Sequence, residues 1–297
     1  MSAPAAPFGR VLTAMVTPFT ADGEVDLARA QELADRLVRQ GNDGLVISGT
    51  TGEAPTTSNK EKAELLRAVV DAVGGRAQVV AGVGTYDTRH SVELARDAEK
   101  AGAGGLLLVT PYYSKPPQAG VVAHTVTVAE STALPMMLYD IPGRTGTALE
   151  ADTIARLAEH PAVVALKDAK DDLPATARLM ARCDIAVYSG TDALNLPLLA
   201  LGAVGVVSVV SHVVTPQVAR MVAAHHEGDV VTARNVDRML QPVYTGIFRS
   251  QGAILAKAAL ALLGFPVGGV RLPLVEATPD EVEVLRRDLA EAGLLQQ

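Results

Sequence analysis

Residues 135–168, PMMLYDIPGRTGTALEADTIARLAEHPAVVALKD, read as one complete strand, turn, helix-like segment and second strand. Pro135–Tyr139 and Val163–Leu166 are short apolar runs with little apolar/polar alternation, the pattern of parallel strands buried on both faces. Pro142–Gly143 breaks the chain after the first run, and Lys167–Asp168 closes the second. Outward from this unit the same rhythm repeats at Val11–Val16, Gly44–Ser48, Gln78–Ala81, Gly105–Val109, Ile185–Tyr188 and Val204–Val209. Amphipathic stretches lie between the runs. Leu66, Val69, Val70 and Val73 follow helical spacing, and Leu27, Ala30, Ala34, Leu37 and Val38 form a similar stripe. Ser58 and Glu61 have capping-box spacing at a helix start. Eight βα units in succession predict an α/β chain, a closed (β/α)8 TIM barrel. An open, doubly wound sheet is the alternative, although no Gly-x-Gly-x-x-Gly turn follows the first run.

The rest of the chain extends this frame. Residues 1–9, MSAPAAPFG, are small and Pro-rich and read as a flexible N-terminal tail; the barrel is expected over 10–225. Beyond it the strands stop. Val236, Met239, Leu240 and Val243 mark a helix face, Ala253–Leu263 is an apolar helical run, and Thr278–Pro279–Asp280–Glu281 opens a last helix. Residues 226–297 are therefore expected to form a C-terminal helical region packed on the barrel. Leu194–Val214 is apolar enough to suggest a membrane span. However, Asn195, Pro197, Gly202, Gly205, Ser208, Ser211 and His212 interrupt it, and a helix followed by a buried strand is the better reading.

Composition narrows the function. Of 297 residues, 26 are Lys or Arg and 33 Asp or Glu, a formal charge of −7 that argues against nucleic-acid or anionic-membrane partners. Apolar residues make up 48% and charged ones 20%, an ordinary globular balance. The one cysteine, Cys183, allows no internal disulfide and no thiolate zinc cluster, which points to the cytoplasm. His90, His124, His160, His225 and His226 fall mostly on expected helices and only His212 near a strand end, so no metal is expected.

A barrel gathers the residues that follow its strands onto one face. Here that face would hold Gly49–Thr50–Thr51–Gly52–Glu53, Thr110–Pro111–Tyr112–Tyr113, Tyr139–Asp140–Ile141–Pro142–Gly143–Arg144, Lys167–Asp168 and Ser189–Gly190–Thr191. A lysine leaving an apolar strand puts an amine in the barrel mouth, where desolvation disfavours the charged form and exposes a lone pair for attack on a ketone. Lys167 is thus a candidate Schiff-base lysine. The plainer reading of that residue by itself is an ion pair with Asp168 or another carboxylate. Tyr139 ends the neighbouring strand, where a phenol can give and accept the proton that imine formation needs, or else merely fill the mouth. Thr50 and Thr51, flanked by glycines, offer hydroxyls and backbone N–H groups to a carboxylate. Arg144 suits a second carboxylate, or a surface ion pair.

Together these residues resemble the dihydrodipicolinate synthase (4-hydroxy-tetrahydrodipicolinate synthase) family, within the pyruvate-dependent class I aldolases that include N-acetylneuraminate lyase. The resemblance runs from Ala14–Phe19 to Arg271–Leu274 and is carried by GTTGE at 49–53, TPYY at 110–113, YDIPGRTG at 139–146, LKDA at 166–169 and SGTDAL at 189–194. It implies that Lys167 forms an imine with pyruvate and that Thr51 binds the pyruvate carboxylate. It also implies that Tyr139, Thr50 and Tyr113 relay protons, with Tyr113 reaching into a neighbouring subunit. Arg144 would bind the carboxylate of L-aspartate 4-semialdehyde, and Gly190 and Val207 would line the pyruvate pocket through their backbones. The implied enzyme is a lyase of diaminopimelate and lysine biosynthesis, a homotetramer built as a dimer of dimers, with no cofactor. A sialic-acid or sugar-acid lyase on the same scaffold is the alternative, and a non-catalytic 2-oxo-acid-binding protein a more distant one. Relatives that lysine inhibits carry His, Asn and Glu around an effector pocket; here the matching positions are Lys62, Tyr86 and His90, with Tyr112 kept. A cation gained and a carboxylate lost should weaken binding of a cationic effector.

Overall fold

The computed structural model describes residues 5–296. Eight parallel strands close on themselves in sequence order: β1 (Val11–Ala14), β2 (Gly44–Ile47), β3 (Gln78–Gly82), β4 (Gly105–Val109), β5 (Met136–Asp140), β6 (Val163–Asp168), β7 (Ala186–Ser189) and β8 (Gly205–Ser208). The closing seam aligns Val11, Leu12 and Thr13 of β1 with Val206, Val207 and Ser208 of β8. That pairing removes the open-sheet alternative, because no strand is left with an unpaired edge. The strands are apolar because both faces are covered, by interior side chains on one side and by helices on the other.

The helices of the barrel layer are α1 (Leu27–Arg39), α2 (Asn59–Val73), α3 (Thr88–Lys100), α4 (Gln118–Ala129), the single turn α5 (Pro142–Thr145), α6 (Ala151–Ala158), α7 (Leu173–Met180), α8 (Asn195–Leu201) and α9 (Ser211–His226). The α2 capping box forms as expected: Ser58 N–H donates to the Glu61 carboxylate at 2.7 Å, and Glu61 N–H donates to Ser58 Oγ at 3.3 Å. Leu66, Val69 and Val73 are buried, while Val70 is half-buried at the edge of the stripe. In α1 the buried residues are Ala30, Leu33, Ala34 and Leu37, with Leu27 and Val38 at the margins. The Leu194–Val214 stretch divides into α8, β8 and the start of α9, and no helix among the described residues is long and apolar enough to cross a membrane.

Two expectations need correction. Residues 1–4 lie outside the described residues, but the looseness expected of 1–9 does not extend to Phe8. That ring is completely buried, its N–H donates to the Tyr188 hydroxyl at 3.2 Å, and Tyr188 donates to the Gly9 carbonyl at 2.9 Å. The aromatic side chain fills space that would otherwise be a void at the foot of the strands. Met239 belongs to α10 (Val230–Ile247), yet it is 43% exposed; Ala233, Val236, Leu240, Val243 and Ile247 form the buried face instead. Each fully buried aliphatic side chain there contributes about 1.5–3 kcal/mol. α11 (Gly252–Leu262) and α12 (Pro279–Glu291) follow, the latter capped by Thr278 and Glu281.

His212, the histidine nearest a strand end, is wholly buried and structural. Val16 N–H donates to its Nε2 at 3.0 Å, and a backbone N–H can only donate, so the ring proton sits on Nδ1 and reaches the Val209 carbonyl at 2.7 Å. Burial pushes its pKa down to about 4. His160 lies just past α6 rather than on a helix. Among the described residues, no three His, Cys, Asp or Glu side chains cluster as metal ligands would.

Candidate active site

β5 and β6 run side by side with Tyr139 opposite Lys167 and Asp140 opposite Asp168. Successive side chains on a strand point to opposite faces, so one pair faces the barrel interior and the other the helices. The outer pair is held by partners on the helix side. Asp168 accepts from the Thr176 hydroxyl at 2.5 Å and from Lys170 N–H at 2.9 Å. Asp140 accepts from Leu149 N–H at 3.1 Å and pairs with Lys170 Nζ at 2.9 Å; burial raises its pKa, and Lys170 opposes that rise. The inner pair is different. Lys167 is buried, its Nζ lies 4.2 Å from the centre of the Tyr139 ring, and among the described residues it makes no ion pair. Lys167 does not form the ion pair with Asp168 that its neighbour in sequence invited, because alternation turns the two side chains apart.

Gly190 follows β7 and leaves the room that Lys167 occupies. A Cβ there would stand 2.9 Å from Lys167 Cγ and 3.0 Å from both Lys167 Cε and the Asp168 carbonyl oxygen. Val207 lies in β8, buried and level with Leu12 of β1. Thr51 is buried and Thr50 half-buried in the turn after β2. That turn is compact: Glu53 N–H donates to the Thr50 carbonyl at 3.2 Å, and the Thr17 hydroxyl donates to the Gly52 carbonyl at 2.6 Å. Gly82, at the end of β3, permits the crossing, since a Cβ there would fall 2.3 Å from the Ser48 carbonyl oxygen.

A cavity of about 420 Å³ opens above this group. Its wall includes Thr50, Tyr139, Ile141, Arg144, Val109 and Leu107. Tyr139 both lines the cavity and lies against the Lys167 amine, which is not itself part of the lining. Arg144 sits on α5, a turn held by Arg144 and Thr145 N–H bonds to the Ile141 carbonyl, each 3.0 Å. It is exposed and makes no ion pair among the described residues, which leaves its fork of donors to a ligand rather than to a surface partner.

The suggested effector residues line this same cavity, so the two sets of residues share one space within the chain. Lys62 donates to the Thr57 carbonyl, and burial pushes its amine down to about 8. His90 Nε2 lies 2.8 Å from Asn59 Oδ1, and Tyr86 meets Tyr112 edge-on with ring centres 5.3 Å apart. Tyr113 is not brought to Tyr139 and Thr50. It is 90% exposed with φ +71°, a conformation rare for a bulky residue, and it is not among the residues lining the cavity.

Lys257 and Arg271, which matter to this face, lie far from any strand end, and the position of Glu53 after β2 gave no sign of its partners. Lys257 Nζ lies 2.7 Å from the Glu53 carboxylate, with both side chains buried. The available clue was a single lysine within the apolar run Ala253–Leu263.

Comparison with known proteins gives the same picture over the whole chain. The sequence pattern of the Dihydrodipicolinate synthetase family matches residues 7–292. A 4-hydroxy-tetrahydrodipicolinate synthase of Acidothermus cellulolyticus is 65% identical over 288 residues, covering 97% of this chain and 94% of that protein. 4-Hydroxy-tetrahydrodipicolinate synthase 2 of Streptomyces coelicolor is 61% identical over 293 residues, covering 99% and 98%. The crystal structure of the synthase from Cyanidioschyzon merolae with lysine bound superposes with a TM-score of 0.95 at 44% identity, covering 98% of this chain and 100% of that one. With the barrel, the strand-end residues and these matches in agreement, the chain belongs to the dihydrodipicolinate synthetase family.

Proposed function

We propose that this chain condenses pyruvate with L-aspartate 4-semialdehyde through a Schiff base on Lys167, the step that makes 4-hydroxy-tetrahydrodipicolinate for lysine and diaminopimelate biosynthesis. The observation that carries the reading is the inner pair, a buried amine with no carboxylate partner among the described residues, lying against a tyrosine that lines the cavity. Relatives 61–65% identical carry the name of this synthase, which supports the choice of reaction.

The chemistry follows from the placement. The neutral amine attacks the keto carbon of pyruvate, and the resulting carbinolamine loses its hydroxyl as water to give the imine. Tyr139 passes protons in that step, a role supported by its contact with the Lys167 amine, and Thr50 lines the same cavity. Thr51 and its turn hold the pyruvate carboxylate, and Gly190 and Val207 shape the pocket around the bound carbons. Loss of a methyl proton gives an enamine whose carbon attacks the aldehyde. The amino group of the lengthened chain then adds to the imine carbon, closes the ring and releases the lysine. Arg144 holds the carboxylate of the semialdehyde at the cavity wall. Tyr113 completes the relay of a neighbouring subunit, a role its exposure on its own chain supports, in an assembly read from the family resemblance as a homotetramer of two dimers. A cytoplasmic site of action fits the single cysteine, which has no partner for a disulfide.

Arg144 carries the choice of second substrate, and its test is a coupled assay with pyruvate and a panel of aldehydes. For aspartate semialdehyde, Arg144→Ala is expected to lower kcat/KM by about 10²-fold, the worth of a lost charge-assisted contact, while Schiff-base formation with pyruvate persists. Full retention of efficiency, or a preference for N-acetylmannosamine, would move the reading to a sialic-acid or sugar-acid lyase.

Regulation follows from the altered pocket. The Cyanidioschyzon merolae structure has lysine bound. Here Lys62, Tyr86 and His90 stand at the positions the resemblance assigns to the effector, and among the described residues no Asp or Glu lines the cavity. Initial rates are therefore expected to be insensitive to sub-millimolar L-lysine; steep inhibition in that range would refute the assignment of Lys62, Tyr86, His90 and Tyr112 as a disabled effector site.

A further inference from the structure

The Gly49–Glu53 turn is held from the far end of the chain. Glu53 is 2% exposed, and neither of its carboxylate oxygens belongs to the cavity wall. Oε1 takes a bond from Lys257 Nζ of α11 at 2.7 Å, and Oε2 accepts from the backbone N–H of Arg271 at 2.9 Å. Lys257 also donates to the Gly269 carbonyl at 2.6 Å. The Arg271 guanidinium spans the loop, donating to the carbonyls of Gly23 and Thr56 at 2.8 Å each and to the Glu61 carboxylate at 2.5 Å. Phe19 is covered by both cations, with Lys257 Nζ 4.3 Å and Arg271 Cζ 4.5 Å from its ring centre.

The turn needs such restraint. Ser48 and Glu53 both adopt left-handed backbone angles, φ +56° and +54°, and they bracket Thr50 and Thr51. Non-glycine residues keep that conformation only where surrounding contacts over-determine it. A buried ion pair adds little net stability compared with apolar packing, but it fixes geometry closely. Its value here is therefore read in position rather than in melting temperature.

We propose that Lys257 and Arg271 are positioning residues that act through Glu53 to hold the Thr50–Thr51 turn in its carboxylate-binding shape, so that the C-terminal helical region completes the pyruvate site. This rests on the reading of that turn as the place where the pyruvate carboxylate binds. Binding by preorganised donors is steep in geometry, and a small displacement of the turn weakens pyruvate without touching the Arg144 side of the cavity.

The experiment is steady-state kinetics on the full-length protein with both substrates varied. Lys257→Met is expected to raise the pyruvate KM on the order of 10-fold while the semialdehyde KM changes less than about two-fold; Lys257→Arg should recover most of the loss. Thr51→Val, which removes a hydroxyl from the turn itself, is run beside it. If Thr51→Val leaves the pyruvate KM unchanged, the reading of the turn fails and takes the proposal with it. If Thr51→Val raises that KM but folded Lys257→Met does not, the positioning role alone is overturned. Equal rises in both KM values together with a fall in kcat would indicate general loosening and would also overturn it. Should Lys257→Met not fold because Glu53 is left buried and unpaired, the Glu53→Gln/Lys257→Met double variant leaves no lone charge and carries the same expected and opposing results.

Discussion

Borohydride added in the presence of pyruvate is expected to modify Lys167 alone, with a mass gain of one pyruvic acid less one oxygen atom, and Lys167→Ala should take up none. The selectivity has a physical basis within this chain. Lys167 and Lys257 are equally buried, each 4% exposed. Lys257 is committed to Glu53 and to the Gly269 carbonyl, and it does not line the cavity that Tyr139 and Arg144 share. Lys167 has no such partner and lies over the Tyr139 ring. Burial by itself does not make a nucleophile; the amine must also lie next to the substrate cavity and beside a group that can carry protons. Turnover by Lys167→Ala should fall by at least ~10⁴-fold, since no other group can form the imine. Peptide mapping decides the matter: label on Lys257 or on a surface lysine, or residual turnover close to that of the parent, would remove the Schiff-base mechanism assigned above.

The second large effect is expected from Gly190→Ala. A methyl group at this position would lie 2.9 Å from Lys167 Cγ and 3.0 Å from the Asp168 carbonyl oxygen. The carbonyl belongs to β6 and cannot retreat, because Gly190 N–H is bonded to it at 2.7 Å. The lysine stem must therefore move, and it carries the amine with it. A displacement of about 1 Å in a reacting group costs roughly 10²-fold in rate, so kcat/KM for pyruvate should drop by about that factor. Thermal unfolding should shift much less, because a barrel of this size is held by its whole interior and the tightest contact, at 2.9 Å, is with a flexible side chain. Borohydride trapping should slow in parallel. A variant with normal trapping and normal kcat/KM would show that the lysine tolerates a different path to the pocket, and the geometric account of Gly190 would fall.

Much of this was legible in the residues. Eight apolar runs at barrel spacing were each within one or two residues of a strand, because a strand buried on both faces leaves a local mark in the sequence. The boundaries drifted where the mark faded: the first run was read to Val16 but β1 ends at Ala14, and β6 extends through Lys167–Asp168 beyond the apolar stretch. Polar residues at the end of a strand still pair, as Asp140 and Asp168 do, although nothing apolar announces them. Met239 was placed on the wrong face, since α10 packs on Leu240 and Val243 and leaves Met239 at its edge. Tyr113, expected to reach into a neighbouring subunit, is exposed on its own chain.

What the sequence determined by itself was the barrel and the gathering of Thr50, Thr51, Tyr139, Arg144, Lys167 and Gly190 at one end of it, because strand order and strand polarity follow from repeated local patterns and fix which loops meet. Tertiary structure alone decided the partners. Alternation along β6 sends Asp168 to Thr176 and leaves Lys167 unpaired. Glu53 meets Lys257 across 204 residues of chain, and Tyr188 meets Gly9 across 179. Contacts at that separation depend on how whole layers pack, and no periodicity in the chain encodes which charge will find which. The chemistry was legible because it sits where the topology must put it; its support was not, because it comes from segments that become neighbours only after the barrel has closed.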